Sequence, residues 1–409
     1  MSFHYDAEWS RLSGRREGAP NVAQAQRTAG VPLRTRCGQG LHVIAAQRAS
    51  CEEYFISVAK LVGESPLSAL ERLIGAIVET QANIVSLEVL GLAPERSALE
   101  EVLKDHYGHI TWPVTWVGSA ADGVDAGGFQ AWAVKGPAVR VLEHGGHVAG
   151  TFFEDDHAAY CRLGGLTPPA QDAGERGGDA ASTGAGSVLE QMAGALRSVS
   201  LEFRDTVRTW FYNQHILAWY EQFNAVRTQF FREHGVFDGT IPASTGVGAV
   251  LPDGVDLTAG LLAIQPRQGA VRVQAVRSPL QCPALEYGSS FSRAVEVQFP
   301  DHVRLFVSGT ASITPGGATA HVGNIEAQIH RTMDVVEALL VSRHMRWEDV
   351  TRGIVYVKHA EDIPKFADYC VKRGLELPVL TLVNDICRED LLFEIEVDAI
   401  LLESGETRP

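Results

Sequence analysis

Apolar positions along this chain follow two periods, one typical of helices and one typical of strands. Apolar residues spaced by three or four predict helices over Ser68–Thr80 and Pro94–His106. A strand pattern follows each helix, at Val85–Leu90 and at Ile110–Val117. This alternation predicts an α+β unit in which helices pack on one face of a mixed β-sheet.

The same order of helix and strand returns in the last part of the chain. Apolar residues from Ile325 onward predict a helix over Ile325–Ser342, and Asn324 is suited to cap its N-terminus. The further elements predicted there are a helix over Ile363–Arg373 and strands over Ile354–Val357, Val379–Val383 and Leu391–Ile400. The repetition predicts two such units in the chain.

Another helix is predicted between the two units, over Trp210–Phe231. Its apolar stripe contains Tyr220 and is interrupted by Asn224 and Arg227. Two interpretations stay open. Either the helix packs on the sheet and Arg227 extends its charged head to water, or these polar side chains form a functional face.

Composition suggests where the units begin and end. Residues 1–35 are polar and hold no period, which is typical of a flexible N-terminal tail. Residues 164–187 are rich in Gly, Ala, Pro, Ser and Thr, which is typical of a linker. We therefore expect an N-terminal domain at 36–163 and a C-terminal catalytic domain at 188–409.

Charge and composition narrow the function classes. The chain has 409 residues and a net charge of −15, which argues against nucleic acid and anionic membrane surfaces as partners. The N-terminus shows no apolar signal segment, and no apolar run is long enough to cross a bilayer, so a cytoplasmic protein is expected. The six cysteines form no CxxC pair and the histidines form no HxxxH group, so we expect free thiols and no metal site.

Residues 387–396 combine a thiol, a guanidinium and several carboxylates. Glu394 and Glu396 share one face of the predicted strand, and apolar residues occupy the other face. An apolar setting raises the pKa of a carboxyl, which makes Glu394 a candidate proton donor. A tight turn would aim Cys387 away from Glu394. We therefore predict an irregular connection that brings both side chains to one pocket.

Several motifs follow one another along the chain, and they are Arg208–Tyr212, Tyr220–Arg227, Pro242–Gly248, Ser278–Ala284, Tyr287–Ala294, Val307–Ile313 and Cys387–Glu396. In this order they resemble the motifs of the chorismatases, which cleave pyruvate from chorismate. The resemblance implies two units related in fold to the YjgF/Rid and chorismate-mutase-like proteins, with no metal or organic cofactor. It implies chorismate as the small-molecule substrate, and it leaves a monomer and a homotrimer equally open.

The resemblance also implies roles for particular residues. Glu394 matches the catalytic acid, and Cys387, seven residues before it, matches a cysteine of the branch that forms 3-hydroxybenzoate. The implied substrate-binding residues are Arg293, Arg388 and Arg208 for the carboxylates, Tyr212 and Tyr220 for the ring hydroxyls, and Ala294, which tracks product type. Arginine suits this role because its planar fork pairs with both oxygens of a carboxylate.

Other functions remain open at this stage. Hydrolysis would give a dihydroxycyclohexadiene carboxylate, and a mixture of 3- and 4-hydroxybenzoate is a second possible outcome. A YjgF-like protein that binds aromatic acids without turnover is the alternative that is not an enzyme. A YjgF/Rid imine deaminase is disfavoured, because Leu380 stands where those proteins carry a substrate-binding arginine.

Overall fold

The strands of the computed structural model form three six-stranded sheets. The structure describes residues 32–121, 126–169, 178–267, 269 and 271–403. The first sheet contains β1 (Arg34–Gly38), β2 (Leu41–Gln47), β3 (Glu52–Ala59), β4 (Asn83–Leu90), β5 (Val114–Val117) and β6 (Gly128–Lys135). The second contains β7 (Arg140–His144), β8 (His147–Glu154), β9 (Ala158–Leu166), β10 (Thr206–Asn213), β11 (Ala243–Gly248) and β12 (Leu257–Pro266). The third contains β13 (Arg272–Val276), β14 (Ala294–Gln298), β15 (His302–Ala311), β16 (Val350–Val357), β17 (Val379–Val383) and β18 (Phe393–Leu402).

All three sheets have the same strand order. The orders are β1-β2-β3-β6-β4-β5, β7-β8-β9-β12-β10-β11 and β13-β14-β15-β18-β16-β17. In each sheet the last pair, β4 with β5, β10 with β11 and β16 with β17, is parallel, and the other pairs are antiparallel. The α+β class with mixed sheets is therefore confirmed, but the described chain contains three such units where the sequence predicted two.

Six α-helices are present in the described residues, two for each sheet. They are α1 (Pro66–Thr80), α2 (Arg96–Tyr107), α3 (Gly178–Arg197), α4 (Ile216–Glu233), α5 (Ile325–Ser342) and α6 (Ile363–Arg373). The bounds of α5 and α6 agree with the prediction. The Asn324 side chain accepts a hydrogen bond from the Ala327 backbone N–H and so caps α5 as expected. None of these helices is both long and apolar enough to cross a membrane.

Each sheet has one face against its own helices and the other against the remaining sheets. On β18, for example, Phe393, Ile395 and Val397 pack with α5 and α6. The opposite faces of the three sheets meet in a shared core that includes Val134, Trp210, Tyr356 and other side chains from every sheet. Glu394 and Glu396 lie on this inward face, because side chains alternate along a strand.

Two sequence predictions differ from the structure at the second sheet. The helix predicted over Trp210–Phe231 begins only at Ile216, and residues 206–213 form β10, where aromatic and β-branched residues favour a strand. The break predicted at 164–187 falls within the second sheet, between β9 and α3, rather than between two units. Its residues 170–177, like residues 1–31 of the predicted tail, lie outside the described residues.

Candidate active site

A cavity with about 540 Å³ of empty volume lies where the second sheet meets the third. The second sheet contributes residues of α4 and β11, and the third contributes residues of β15, β18 and three loops. Backbone contacts hold the two sheets together beside it. Ser244 N–H donates to the Ser308 hydroxyl at 2.8 Å, and Ser292 N–H donates to the Pro242 carbonyl at 3.0 Å. The cavity wall is therefore built by tertiary packing of distant segments.

Glu394 enters this cavity from β18, next to an irregularity in β15. The pairing of β15 with β18 shifts register between Val307 and Thr310, and Gly309 lies within that shift. A Cβ atom on Gly309 would collide with the Glu394 carboxyl. A side chain at position 309 would therefore displace the Glu394 carboxyl from its place against this backbone.

The Glu394 carboxyl is set up to be protonated at neutral pH. It is only 4% exposed, and no hydrogen bond to it is present among the described residues. Burial, and secondly the negative charge of Glu396, raise its pKa to about 8, although Arg208 and Arg293 act in the opposite direction. A carboxyl with this pKa is a proton donor near pH 7.

Three guanidinium groups face the same cavity without a carboxylate partner in the described part of the chain. Arg227 donates to Ser244 and Asn224, at 3.3 and 2.6 Å. Arg293 donates through Nε to the Cys282 carbonyl at 3.0 Å, and its buried Nη2 has no partner. Arg388 donates to the Gly317 carbonyl at 2.7 Å. These cations can therefore bind an anionic ligand.

The setting of Arg227 shows how unusual these cations are. Its side chain is 1% exposed, its Nε has no partner, and burial lowers the pKa of its guanidinium. A cation this deep is ordinarily paired with an acid. Among the two interpretations of the α4 stripe, the structure favours the functional face, because Tyr220 and Arg227 both line the cavity.

Cys387 and Tyr220 lie together on one side of the cavity. The connection between β17 and β18, residues 384–392, is longer than a tight turn, and it brings Cys387 to the same cavity as Glu394. Burial and the Glu394 charge raise the pKa of the thiol to about 12, while Arg388 and a hydrogen bond with Tyr220 oppose this. Cys387 is therefore a neutral thiol, and the lowering of its pKa by Arg388 does not dominate.

Tyr287 is a cavity residue that sequence reasoning missed as an individual side chain. It ends a short 3₁₀ turn, and its ring centroid lies 5.3 Å from the Arg293 guanidinium and 5.5 Å from that of Arg388. The ring thus holds two of the three cations by cation–π contacts. The sequence could have indicated Tyr287, because it begins the motif Tyr287–Ala294. Sequence reasoning gave no role to Tyr287 and took only Arg293 and Ala294 from that motif.

Three predicted site residues do not line the cavity. Arg208 is fully buried between sheets and forms an ion pair with Glu396 at 2.9 Å. Tyr212 is buried in the shared core next to Tyr356. Ala294 faces the opposite side of β14 and packs in the helix-facing core of the third sheet. Arg208 and Tyr212 lie on the inward face of β10 but outside the cavity, and Ala294 lies on the helix-facing side of β14. Substrate binding by these three residues therefore stays a prediction that their placement does not support.

A second cavity, of about 580 Å³, lies in the interior between the sheets. Its charged side chains are paired with each other. Arg162 pairs with Glu88, and Arg352 binds Asp398 at 2.9 Å. Among the described residues, no group of three or more His, Cys, Asp or Glu side chains is placed to hold a metal ion.

Comparison with known proteins gives the fold class first. The chain has the fold of a chorismatase crystal structure, with a TM-score of 0.58 and 24% identity over 78% of this chain and 93% of that one. No family model matches the chain.

Sequence comparison then finds similar proteins over about half of the chain. A chorismatase of Streptomyces hygroscopicus is 32% identical over 221 residues, which cover 48% of this chain and 62% of the relative. A 3-hydroxybenzoate synthase of the same organism is 29% identical over 198 residues, covering 43% and 56%. The chain spans less than two thirds of the length of these curated relatives.

Proposed function

We propose that this protein is a chorismatase that converts chorismate to pyruvate and 3-hydroxybenzoate. One observation carries the proposal. Three guanidinium groups without carboxylate partners among the described residues, Arg227, Arg293 and Arg388, face one protonated glutamate, Glu394. Chorismate carries two carboxylates and an enol ether, so its charges and its reactive bond match both parts of this cavity.

The first step would be proton transfer to carbon. Glu394 donates its proton to the methylene carbon of the enol ether and leaves an oxocarbenium ion. The cation forms beside the new Glu394 carboxylate, which stabilises it electrostatically. The arginines contribute by holding the two substrate carboxylates so that the methylene group meets Glu394.

The second step would decide the product. If the ring hydroxyl displaces the pyruvyl oxygen, an arene oxide forms and opens to 3-hydroxybenzoate. A ring proton is lost on aromatisation, so chorismate is converted to the two products without consuming water. If water attacks the oxocarbenium ion instead, the product is a dihydroxycyclohexadiene carboxylate. The resemblance to a 3-hydroxybenzoate synthase and the neutral Cys387 thiol beside Glu394 support the first route.

The arrangement of the units supports a monomeric enzyme. Three sheets of one chain enclose a common core, so the chain supplies three units by itself. Light scattering of the purified protein is expected to give the mass of one chain, and a mass of three chains would contradict this part of the proposal.

The direct test is incubation of the purified protein with chorismate. Pyruvate is followed by lactate dehydrogenase and NADH, and aromatic products are separated by chromatography. We expect equal amounts of pyruvate and 3-hydroxybenzoate. A non-aromatic diol, or 4-hydroxybenzoate in quantity, would overturn the product assignment. Binding of chorismate with no pyruvate released would instead support the aromatic-acid binding protein.

A further inference from the structure

The two glutamates of β18 lie two residues apart on one face, but their surroundings differ. Glu396 receives hydrogen bonds from Trp210 Nε1 and Arg352 Nη2 on one oxygen and from Arg208 Nη2 on the other, each at 2.9 Å. All three partners can only donate. A proton on Glu396 would find no acceptor among them, so this geometry holds Glu396 as a carboxylate.

Both arginines of this group also face a second carboxylate. Arg352 also binds Asp398 at 2.9 Å, and Arg208 Nε lies 3.8 Å from the other Asp398 oxygen. Two arginines and two carboxylates therefore form a neutral buried group. Arg208, the cation best placed to neutralise Glu394, is directed at Glu396 instead.

Thr245 links this group to the cavity. Its hydroxyl accepts from Arg208 Nη2 at 2.7 Å and from the Gly309 backbone N–H at 3.1 Å. Gly309 is also the residue against which the Glu394 carboxyl lies. The buried group thus fixes both the charge next to Glu394 and the backbone against which its carboxyl lies.

We propose that Glu396 is a positioning residue of this enzyme: Arg208 and Arg352 hold it as a carboxylate, and its charge keeps the neighbouring Glu394 protonated for transfer to substrate. The inference rests on the proposed function, since it explains how the acid of that reaction is kept ready. Two carboxyl groups placed side by side disfavour ionisation of the second one.

Other charged and titratable groups face Glu394 and bear on the same equilibrium. They are Arg208 on β10, Tyr220 and Arg227 on α4, Tyr287 and Arg293 before β14, Cys387 and Arg388 in the loop before β18, and Glu396. Of these, Arg208 and Arg293 favour the Glu394 carboxylate most strongly, while burial and Glu396 favour its protonated form. Around Glu396 the groups are Arg208, Arg352, Tyr212, Tyr356 and Asp398.

The test is the pH dependence of kcat/KM in Glu396→Gln. In the native enzyme, kcat/KM is expected to fall as pH rises through about 8, because Glu394 then loses its proton. Removing the Glu396 charge favours the Glu394 carboxylate, so the fall is expected about one pH unit lower or more. Asp398→Asn is the matched control. It removes a buried carboxylate of the same group that is farther along β18, and its fall is expected within a few tenths of a unit of native.

An unchanged fall in Glu396→Gln, or an equal shift in Asp398→Asn, would overturn the inference. If Glu396→Gln does not fold, Glu396→Asp, which keeps the charge, replaces it. Infrared difference spectra against Glu394→Gln then report the protonated carboxyl of Glu394 directly. That band is expected at pH 7 in the native protein and in Glu396→Asp, and its absence from the native protein contradicts the inference.

The infrared titration needs no turnover. If chorismate is not cleaved at any pH, the proposed function fails. The band at pH 7 in the native protein, and its fall to about half or less in Glu396→Gln, still decide whether Glu396 keeps Glu394 protonated.

Discussion

The interior cavity and the cavity beside β11 and β18 have similar empty volumes, about 580 and 540 Å³. Three arginines line each of them. In the interior cavity Arg162, Arg304 and Arg352 all pair with carboxylates. In the other, Arg227, Arg293 and Arg388 contact only neutral groups in the described part of the chain.

The difference separates structural from functional charge. A buried ion pair satisfies itself and leaves nothing for a ligand, whereas an unpaired buried cation costs stability unless an anion arrives. The chain carries 50 acidic residues, so unpaired arginines are not explained by a shortage of acids. Volume does not separate the two cavities, but charge pairing favours the one that contains Glu394.

The largest expected effect is loss of catalysis at Glu394. Glu394→Gln keeps the shape of the side chain but cannot donate an acidic proton, so pyruvate release from chorismate is expected to fall about 10³-fold or more. Glu389→Gln is the matched control, because the Glu389 side chain is 80% exposed. Its rate is expected within twofold of native. An active Glu394→Gln variant would contradict the role of the acid.

Arg352→Met tests the paired cavity through stability. The change leaves Glu396 and Asp398 short of a cation, and breaking a buried pair in this way costs about 3–5 kcal/mol. We expect this loss in the free energy of unfolding, measured with denaturant. A loss below about 1 kcal/mol would show that the pairing in the interior cavity is not structural.

Arg293→Met tests the cavity that contains Glu394, and here we expect an effect on catalysis and little effect on stability. No carboxylate loses a partner and an unpaired buried cation is removed, so the free energy of unfolding is expected to fall by no more than about 1 kcal/mol. One charge-assisted contact to substrate is lost, which corresponds to about a 30-fold fall in kcat/KM. Arg373→Met, on an exposed pair with Glu337, serves as the control and should leave kcat/KM unchanged. A large loss of stability with a native kcat/KM would mean that Arg293 stabilises the fold and does not bind substrate.

Cys387→Ala is expected to have the smallest effect on rate. The thiol is neutral and takes no part in protonation of the enol ether, so pyruvate release should stay within about tenfold of native. The ratio of 3-hydroxybenzoate to other ring products is expected to fall. Cys370→Ala, on α6, is the control for loss of a thiol elsewhere. An unchanged product ratio would remove Cys387 from product choice.

Local pattern predicted much of this fold. The helix α5 and its cap at Asn324 follow from apolar spacing and from one side chain, both of which are local. The helix predicted over Trp210–Phe231 included residues 210–213 of β10, because the aromatic residues of this strand are followed closely by the apolar stripe of α4. The unit of the second sheet was missed. Its strands lie on both sides of the Gly-rich stretch at 164–187, where composition suggested a boundary between domains.

The site was predicted unevenly for the same reason. Glu394 and its apolar neighbours are adjacent in sequence, so its role as proton donor was within reach. The sequence could not show that Arg208 pairs with Glu396 while Arg293 lines the cavity, because this depends on which face of β10 meets β18. Arg227 became a cavity residue only through the packing of α4 against β11, which no local pattern reports.

The most direct test of the account is a crystal structure of Glu394→Gln soaked with chorismate, because this variant should bind the substrate without consuming it. We expect chorismate in the cavity beside β11 and β18. Its carboxylates should lie within hydrogen-bond distance of at least two of Arg227, Arg293 and Arg388, and its methylene carbon should lie next to residue 394. Chorismate in the interior cavity, or no chorismate at saturating concentration, would contradict the account.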